Sequence, residues 1–187
     1  MKKLLNLTIL FFAASLILPS CSNDDADEQE PKANHFQVVD QKYLLQEGTL
    51  VYIEENSFSK DPETRFTMDL TLHSQGIQVA SSVHDQVVFK GIGQQLYFDL
   101  KSASKTELNQ GVFDLKSDKV TVGMYCENWI DEKHDADQNP WSRLTDGEIS
   151  ISKKGDLYEI ILTAIDDQNH NVSAYFKGKL NFYSLEN

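Results

Sequence analysis

The sequence predicts an all-β protein, and two observations point to that class. From His35 onward, hydrophobic residues recur at every second position, which is the period of a β-strand, and no long window has a helical period. Short groups of Gly, Asp, Asn and Ser separate these runs, as hairpin turns require. Many short strands without helical crossovers pair antiparallel. We therefore expect an antiparallel β-sandwich of about 10–12 short strands, with a flattened β-barrel as the alternative.

The predicted strands follow one another closely along the chain. The alternating runs predict strands at 37–45, 49–55, 64–72, 77–81, 87–90, 94–100, 111–115, 119–127, 147–152, 156–164 and 172–183. Turns are predicted at Glu47-Gly48, Ser74-Gln75-Gly76, Lys116-Ser117-Asp118, Lys154-Gly155-Asp156 and 166–171. In four strands, alternate residues are predicted to share one face: Phe66, Met68, Leu70 and Leu72; Val120, Val122, Met124 and Cys126; Tyr158, Ile160, Leu162 and Ala164; Val172, Ala174, Phe176, Gly178, Leu180 and Phe182.

The first twenty residues are predicted to be a signal peptide. Lys2 and Lys3 precede the apolar run 4–18, which as a helix spans about 22 Å and is shorter than the roughly 30 Å hydrocarbon core of a bilayer. The run ends in Leu18-Pro19-Ser20-Cys21, which resembles the bacterial lipobox. That resemblance implies cleavage before Cys21, a diacyl group on its sulfur and an acyl chain on the new amine. The alternative is an ordinary secretory signal.

Residues 21–35 are predicted to be the lipidated cysteine and a disordered acidic tether, and residues 36–187 a single all-β domain. The tether is rich in carboxylates and has no large apolar residue between positions 22 and 34, so it cannot bury enough surface to fold. Asp24 and Asp25 are similar to the export signal of Bacteroidetes surface lipoproteins. That similarity implies an outer-membrane location facing the cell exterior, whereas the alternative is a plain soluble linker.

The body resembles small Bacteroidetes surface lipoprotein domains over residues 89–182, a group with no functional residues that could be transferred. The resemblance is carried by Phe89-Lys-Gly91-Ile-Gly93-Gln-Gln-Leu96-Tyr97-Phe98-Asp-Leu100, Leu108-Asn-Gln-Gly111-Val-Phe113, Asp146-Gly147-Glu-Ile149-Ser-Ile151, Gly155-Asp156-Leu-Tyr158-Glu-Ile160 and Tyr175-Phe176-Lys-Gly178-Lys-Leu180. It implies an all-β lipoprotein body.

Charge and cysteine content exclude several classes of function. The formal charge is −12, so phosphate backbones are repelled and no nucleic-acid partner is expected. The 2 cysteines cannot build a disulfide framework or a four-thiolate zinc site. Once Cys21 is lipidated, Cys126 is the remaining thiol, and we expect it to be a buried small hydrophobe.

The predicted ligand site is the segment that joins the strands at 119–127 and 147–152. It contains both tryptophans and several oxygen-bearing side chains, and the candidate ligand-binding residues are Trp129, Asp131, Asp135, Asp137, Asn139 and Trp141. Tryptophan rings can stack on sugars while carboxylates and amides bind hydroxyls, which predicts a glycan site. Calcium is the alternative ligand, although Pro140 stands where an EF-type loop needs glycine. The remaining alternative is that this segment is a solvated loop that binds no ligand.

We therefore predict a non-catalytic, cell-surface lipoprotein whose β domain binds an extracellular ligand or an outer-membrane protein. Its membrane contact would be the palmitate-type anchor on Cys21, and no other cofactor is expected. The alternatives are a carbohydrate-binding module built on the Trp129–Trp141 loop and a calycin-like barrel that binds a small apolar ligand. A hydrolase is a further alternative, but the sequence contains no G-x-S-x-G, P-loop or H-E-x-x-H motif.

Overall fold

β-strands form nearly all of the regular structure, which confirms the predicted all-β class. The structure is a computed structural model that describes residues 32–80, 87–130 and 141–184, without the side chains of residues 80 and 128–130. The strands in this part of the chain are β1 (His35–Val38), β2 (Gln41–Leu44), β3 (Glu47–Glu55), β4 (Phe66–His73), β5 (Ile77–Ala80), β6 (Val88–Ser102), β7 (Gly111–Asp114), β8 (Val120–Ile130), β9 (Ser142–Lys154), β10 (Leu157–Asp166), β11 (Asn171–Gly178) and β12 (Leu180–Ser184). A 3₁₀ turn, Pro62–Thr64, precedes β4.

The strands form one curled sheet in the order β12-β3-β4-β6-β8-β9-β10-β11-β1-β2, with β5 paired to β6 and β7 to β9. Pairing is antiparallel, as predicted, except that β12 runs parallel to β3. Only Lys179 separates β11 from β12. These two consecutive strands nevertheless lie towards opposite ends of the strand order. A sheet curled in this way is consistent with both predicted alternatives, the sandwich and the flattened barrel.

The core lies on the concave side of this sheet and is filled by alternate residues of the strands. Large side chains under 2% exposed come from both halves of the path: Phe36, Leu50, Met68, Leu70, Leu72, Leu96, Phe98, Ile149, Ile160, Leu162 and Phe176. The predicted core faces of β4 and β10 are confirmed, since Phe66, Met68, Leu70 and Leu72 join Tyr158, Ile160, Leu162 and Ala164 in one cluster. Burial of this apolar surface is the main stabilising term of the fold.

Four predicted strands differ from those observed. The predicted strand 37–45 is a hairpin, because the chain turns after β1 with Val39 at a φ of 53°. The predicted strands 87–90 and 94–100 are one strand, β6, which changes its partner from β5 to β4 between Gly91 and Gln95. The predicted strand 172–183 is divided at Lys179, where the chain leaves β10 and joins β3.

The predicted common face of Val120, Val122, Met124 and Cys126 is wrong at its first residue. A register shift between Asp99 and Leu100 of β6 places Val120 opposite core residue Leu100 and Val122 opposite Asp99. Such a shift moves the following residues to the other side of the sheet. Val122, Met124 and Cys126 therefore face away from the core, and Tyr125 joins the core instead.

Candidate functional site

The predicted ligand loop is only partly described. Asp131, Asp135, Asp137 and Asn139 lie outside the described residues, as do Cys21 and the predicted signal peptide. Trp129 belongs to β8, where its backbone is the register partner of Gly93, but its side chain is also outside the described part. Trp141 directly precedes β9, is 36% exposed, and its ring meets the edge of Tyr97 at a centroid distance of 6.4 Å.

The calcium alternative gains no support from Asp146, which would be the twelfth residue of an EF-type loop. Its carboxylate forms an ion pair of 2.8 Å with Lys116 and accepts the backbone N–H of Gly147. Within residues 32–80, 87–130 and 141–184, no group of three or more His, Cys, Asp or Glu residues could hold a metal ion. Asp166, in the predicted turn 166–171, is occupied by hydrogen bonds from Tyr125, Gln168 and His170.

A different part of the molecule concentrates polar groups, namely the side of β3, β4 and β6 that faces away from the core. Successive side chains of a strand point to opposite sides, so the residues between core residues lie together there. We call this surface the polar face, and it consists of Thr49, Thr67, Asp69, Thr71, His73, Gln95, Tyr97, Asp99 and Lys101. The strand register places Asp69 opposite Asp99, Thr71 opposite Tyr97 and His73 opposite Gln95.

Much of the polar face is buried, although it is not part of the core. Thr49 and His73 are 0% exposed, and Gln95 is 2% exposed. The corresponding side of β10 is open to solvent, where Ile161 is 41% exposed. Antiparallel sheets commonly have one solvated side, so burial of both sides of β4 distinguishes this part of the sheet.

Four buried side-chain atoms in the described residues have no hydrogen-bond partner, and all four lie on the polar face: Thr49 Oγ1, His73 Nε2, Gln95 Nε2 and Asp99 Oδ1. Each such atom costs about 1–3 kcal/mol of folding free energy when buried without a partner. Four such atoms on one side of the sheet are therefore unfavourable for stability alone, although they are spread along it, with Gln95 and Asp99 four residues apart on β6. Precisely placed polar groups are also what a site for a polar ligand contains.

The electrostatics of the polar face are dominated by Asp69 and Asp99. The pKa of Asp69 is raised to about 6, mainly by burial and also by the charge of Asp99, while the hydrogen bond from the Tyr97 hydroxyl at 2.8 Å opposes the shift. The Lys101 ammonium lies 3.8 Å from Asp99 Oδ1 and donates to the hydroxyl of Thr67 at 2.8 Å. Like charges opposite each other destabilise a strand pair. Two aspartates in this register therefore cost stability, which the Tyr97 hydroxyl and the Lys101 ammonium offset in part.

The remaining groups of the polar face are neutral hydrogen-bonding groups. Burial lowers the pKa of His73, so its ring is neutral. Its Nδ1 donates to the carbonyl oxygen of Ser74 at 3.3 Å, which leaves Nε2 as an acceptor. Burial and the neighbouring Asp69 raise the pKa of Tyr97, which therefore remains a protonated donor.

Aromatic rings lie beside the polar face at two points. The ring of Phe89 meets the edge of His73 at 5.8 Å, and the ring of Trp141 meets Tyr97. Trp141 is 36% exposed at this point. One of the predicted ligand-binding residues, Trp141, is thus brought next to Tyr97, which was not predicted from the sequence and whose hydroxyl donates to Asp69.

The core itself offers little room where it is described. The cavity lined by Leu100, Leu108 and Ile151 has a volume of about 10 Å³, which is about the space of one water molecule. A groove of about 290 Å³ lies beside Leu180 and Phe182. Its cations are already paired, because Lys153 contacts Glu107 and Lys179 contacts Asp156. The polar face is therefore the stronger candidate.

Sequence comparison adds no relative to this description. No family model, no curated protein and no solved structure matches the chain. Among the described residues, no helix is long and apolar enough to cross a membrane.

Proposed function

We propose that this protein is a non-catalytic lipoprotein, anchored through Cys21 to the bacterial outer membrane, whose β domain binds an extracellular polar ligand at the polar face. The anchor is supported by the apolar run 4–18, which ends at Cys21, and by the acidic segment that follows it. Two or more acyl chains give stable membrane attachment, whereas one chain binds only marginally. The tether would hold the β domain about 20 Å from the membrane surface.

One observation carries the binding function, namely the four buried polar atoms on the polar face that have no hydrogen bond, of which Asp99 Oδ1 has only the Lys101 ammonium at 3.8 Å. A sheet selected for stability alone would carry apolar or fully paired residues at these positions. A ligand would reach this face at its half-buried members, Asp69, Tyr97 and Asp99, and each missing hydrogen bond that it supplied would recover part of the cost and add to affinity. The proposal therefore predicts that ligand binding stabilises the folded protein.

The anchor is tested by metabolic labelling with a palmitate analogue in the bacterial host. The unchanged protein and Cys126→Ala should both be labelled, because Cys126 is a buried strand residue and serves as the matched cysteine control. Cys21→Ala should lose the label. Label retained in Cys21→Ala would overturn the anchor, and protease treatment of intact cells would then show separately whether the domain faces the exterior.

The binding function is tested by thermal unfolding of the whole lipoprotein in a detergent without a sugar headgroup. The probes are neutral oligosaccharides, free amino acids and short fatty acids, each as a separate class. A rise in Tm with a polar class that disappears in Asp99→Ala supports binding at the polar face. A rise with fatty acids alone would support the barrel that encloses an apolar ligand, and no rise with any class would overturn the proposal.

A further inference from the structure

The chemistry of the polar face also indicates which class of ligand it takes. We propose that the polar face is a carbohydrate site, in which Asp69, Gln95, Tyr97 and Asp99 bind the hydroxyls of a neutral sugar and Trp141 packs against its ring. This inference rests on the proposed binding function and names its ligand. It differs from the loop site predicted from sequence, because the hydroxyl-binding groups come from β4 and β6.

The first argument is the mixture of donors and acceptors left without a hydrogen bond. The amide nitrogen of Gln95 can only donate, Asp99 Oδ1 can only accept when ionised, and the Thr49 hydroxyl can do both. A sugar hydroxyl is itself a donor and an acceptor, so neighbouring hydroxyls of one ring can satisfy both kinds of group. A simple anion would satisfy only the donors, and a metal ion only the acceptors.

The second argument is charge. Asp69 and Asp99 lie opposite each other, with Lys101 as the cation in contact with Asp99. An anionic ligand would add a third negative charge to a partly buried place, where charge repulsion is least screened. Neutral hydroxyls stabilise carboxylates by donating to them, without adding charge. The pair therefore favours a neutral sugar over uronic acids or sulfated glycans.

The third argument is geometry. Groups on neighbouring strands are about 4.8 Å apart and those two residues apart on one strand about 7 Å, which is comparable with the separation of hydroxyls across a sugar ring. Gln95, Tyr97 and Asp99 alternate along β6 and therefore line one side of it. Trp141 lies at the Tyr97 position with part of its ring exposed. Polar groups beside an aromatic ring are what a sugar requires, since its C–H groups are apolar and its hydroxyls polar.

The test measures binding of neutral oligosaccharides of glucose, mannose, xylose and galactose to the whole lipoprotein by isothermal titration calorimetry. Oligogalacturonate is the anionic comparison. We expect at least one neutral oligosaccharide to bind, and Asp69→Ala, Gln95→Leu and Trp141→Ala each to weaken it by tenfold or more. Oligogalacturonate should bind at least tenfold more weakly than the neutral ligand.

The matched control is Glu159→Ala on β10. Glu159 accepts a hydrogen bond of 2.8 Å from the Tyr175 hydroxyl, so this pair repeats the Asp69–Tyr97 pair on another part of the sheet. Glu159→Ala should leave glycan affinity unchanged, and thermal unfolding should show that every variant is folded. Gln95→Leu keeps the size of the side chain, so its loss of binding would not reflect a cavity.

The outcomes separate the two proposals. Binding of amino acids but of no neutral oligosaccharide would overturn the carbohydrate inference and leave the polar-ligand function in place. Glycan binding that persists in the Asp69→Ala, Trp141→Ala double variant would overturn the placement at the polar face. No binding of any class would overturn both.

Discussion

The hydroxyl of Tyr125 on β8 donates a hydrogen bond of 2.8 Å to the carboxylate of Asp166 at the end of β10, and both residues are 2% exposed. The same carboxylate accepts the backbone N–H groups of Gln168 at 2.9 Å and His170 at 2.7 Å. Direct pairing between β8 and β9 is limited to two residue pairs in the described ladder. Asp166 therefore closes the turn after β10 and connects it to β8 where backbone pairing is sparse.

Removing this carboxylate should be costly. Asp166→Ala leaves several buried donors without a partner, and we expect a loss of about 3 kcal/mol in the free energy of unfolding. Tyr125→Phe removes one hydrogen bond and should cost about 1 kcal/mol. Urea unfolding at pH 7 measures both. Asp156→Ala, which removes an exposed ion pair with Lys179, should leave the midpoint unchanged and is the control.

The Asp166 network should also make the protein sensitive to acid. Burial alone would raise the pKa of Asp166, but the hydrogen bonds from His170, Tyr125 and Gln168 outweigh it and hold the pKa below the usual value. Stability from a lowered pKa is present above about pH 4 and is lost as the pH falls through the folded-state value. Asp166→Asn should therefore remove part of the decrease in unfolding free energy below pH 4. An unchanged acid profile would contradict this assignment.

Asp69 should contribute the opposite pH dependence. Its pKa of about 6 in the folded protein exceeds the ordinary value of 3.8, so the folded state binds more protons between these values. The stability that protonation provides is complete below about pH 4 and is lost as the pH rises to about 6. We expect Asp69→Asn, whose oxygen can still accept from Tyr97, to stabilise the protein at pH 7 by about 1–2 kcal/mol after allowance for solvent screening.

Urea unfolding of the unchanged protein and Asp69→Asn from pH 4 to pH 7 measures this difference. The two curves should converge at pH 4 and separate as the pH rises. Parallel curves would show that ionisation of Asp69 does not lower the free energy of unfolding. Greater stability together with weaker ligand binding would be the expected trade-off of a residue kept for function.

The sequence alone predicts the fold class, and it predicts the orientation of those strands in which buried and exposed residues alternate. β10 alternates buried Ile160 and Leu162 with exposed Ile161, so its apolar period alone predicts its orientation. β4 has the same period in Phe-Thr-Met-Asp-Leu-Thr-Leu-His, and its polar residues would be expected in solvent. Thr67, Thr71 and His73 are buried instead and Asp69 is half-buried, because burial depends on what packs on that side and not on the local pattern.

The polar face could not be predicted from the sequence for a related reason. Asp69 and Asp99 are thirty positions apart, and only the register of β4 against β6 brings them together. The register shift at Asp99 likewise turns Val122, Met124 and Cys126 away from the core, although the pattern Val-Thr-Val-Gly-Met-Tyr-Cys is compatible with either orientation. Tyr97 and Trp141 are likewise far apart in the sequence, and only the fold brings their rings together.

Gly147 is a position where only glycine fits. Its φ is +117°, and a Cβ there would lie 2.1 Å from the backbone oxygen of Thr163. Gly147→Ala should therefore cost about 3 kcal/mol, because both backbone strain and a clash with an ordered strand are introduced. Gly155, at a φ of +60° with nothing within 4 Å of a Cβ, is the matched control, and Gly155→Ala should cost about 1 kcal/mol. Equal Tm values for the two variants would contradict the close approach of β9 and β10.

The burial of the polar face can be tested with one pair of threonines. Thr71 on β4 and Thr163 on β10 both face away from the core, but Thr71 is 3% exposed and Thr163 is exposed. Thr71→Lys would bury an ammonium group, so we expect a loss of at least about 3 kcal/mol or a failure to fold at pH 7. Thr163→Lys should change the unfolding free energy by less than about 0.5 kcal/mol.

Thr71→Val separates charge from shape, because it removes the hydroxyl without adding volume and should leave the protein folded. If Thr71→Lys were as stable as Thr163→Lys by urea unfolding, this side of β4 would be open to solvent, and the cost assigned to its unpartnered polar atoms would be wrong.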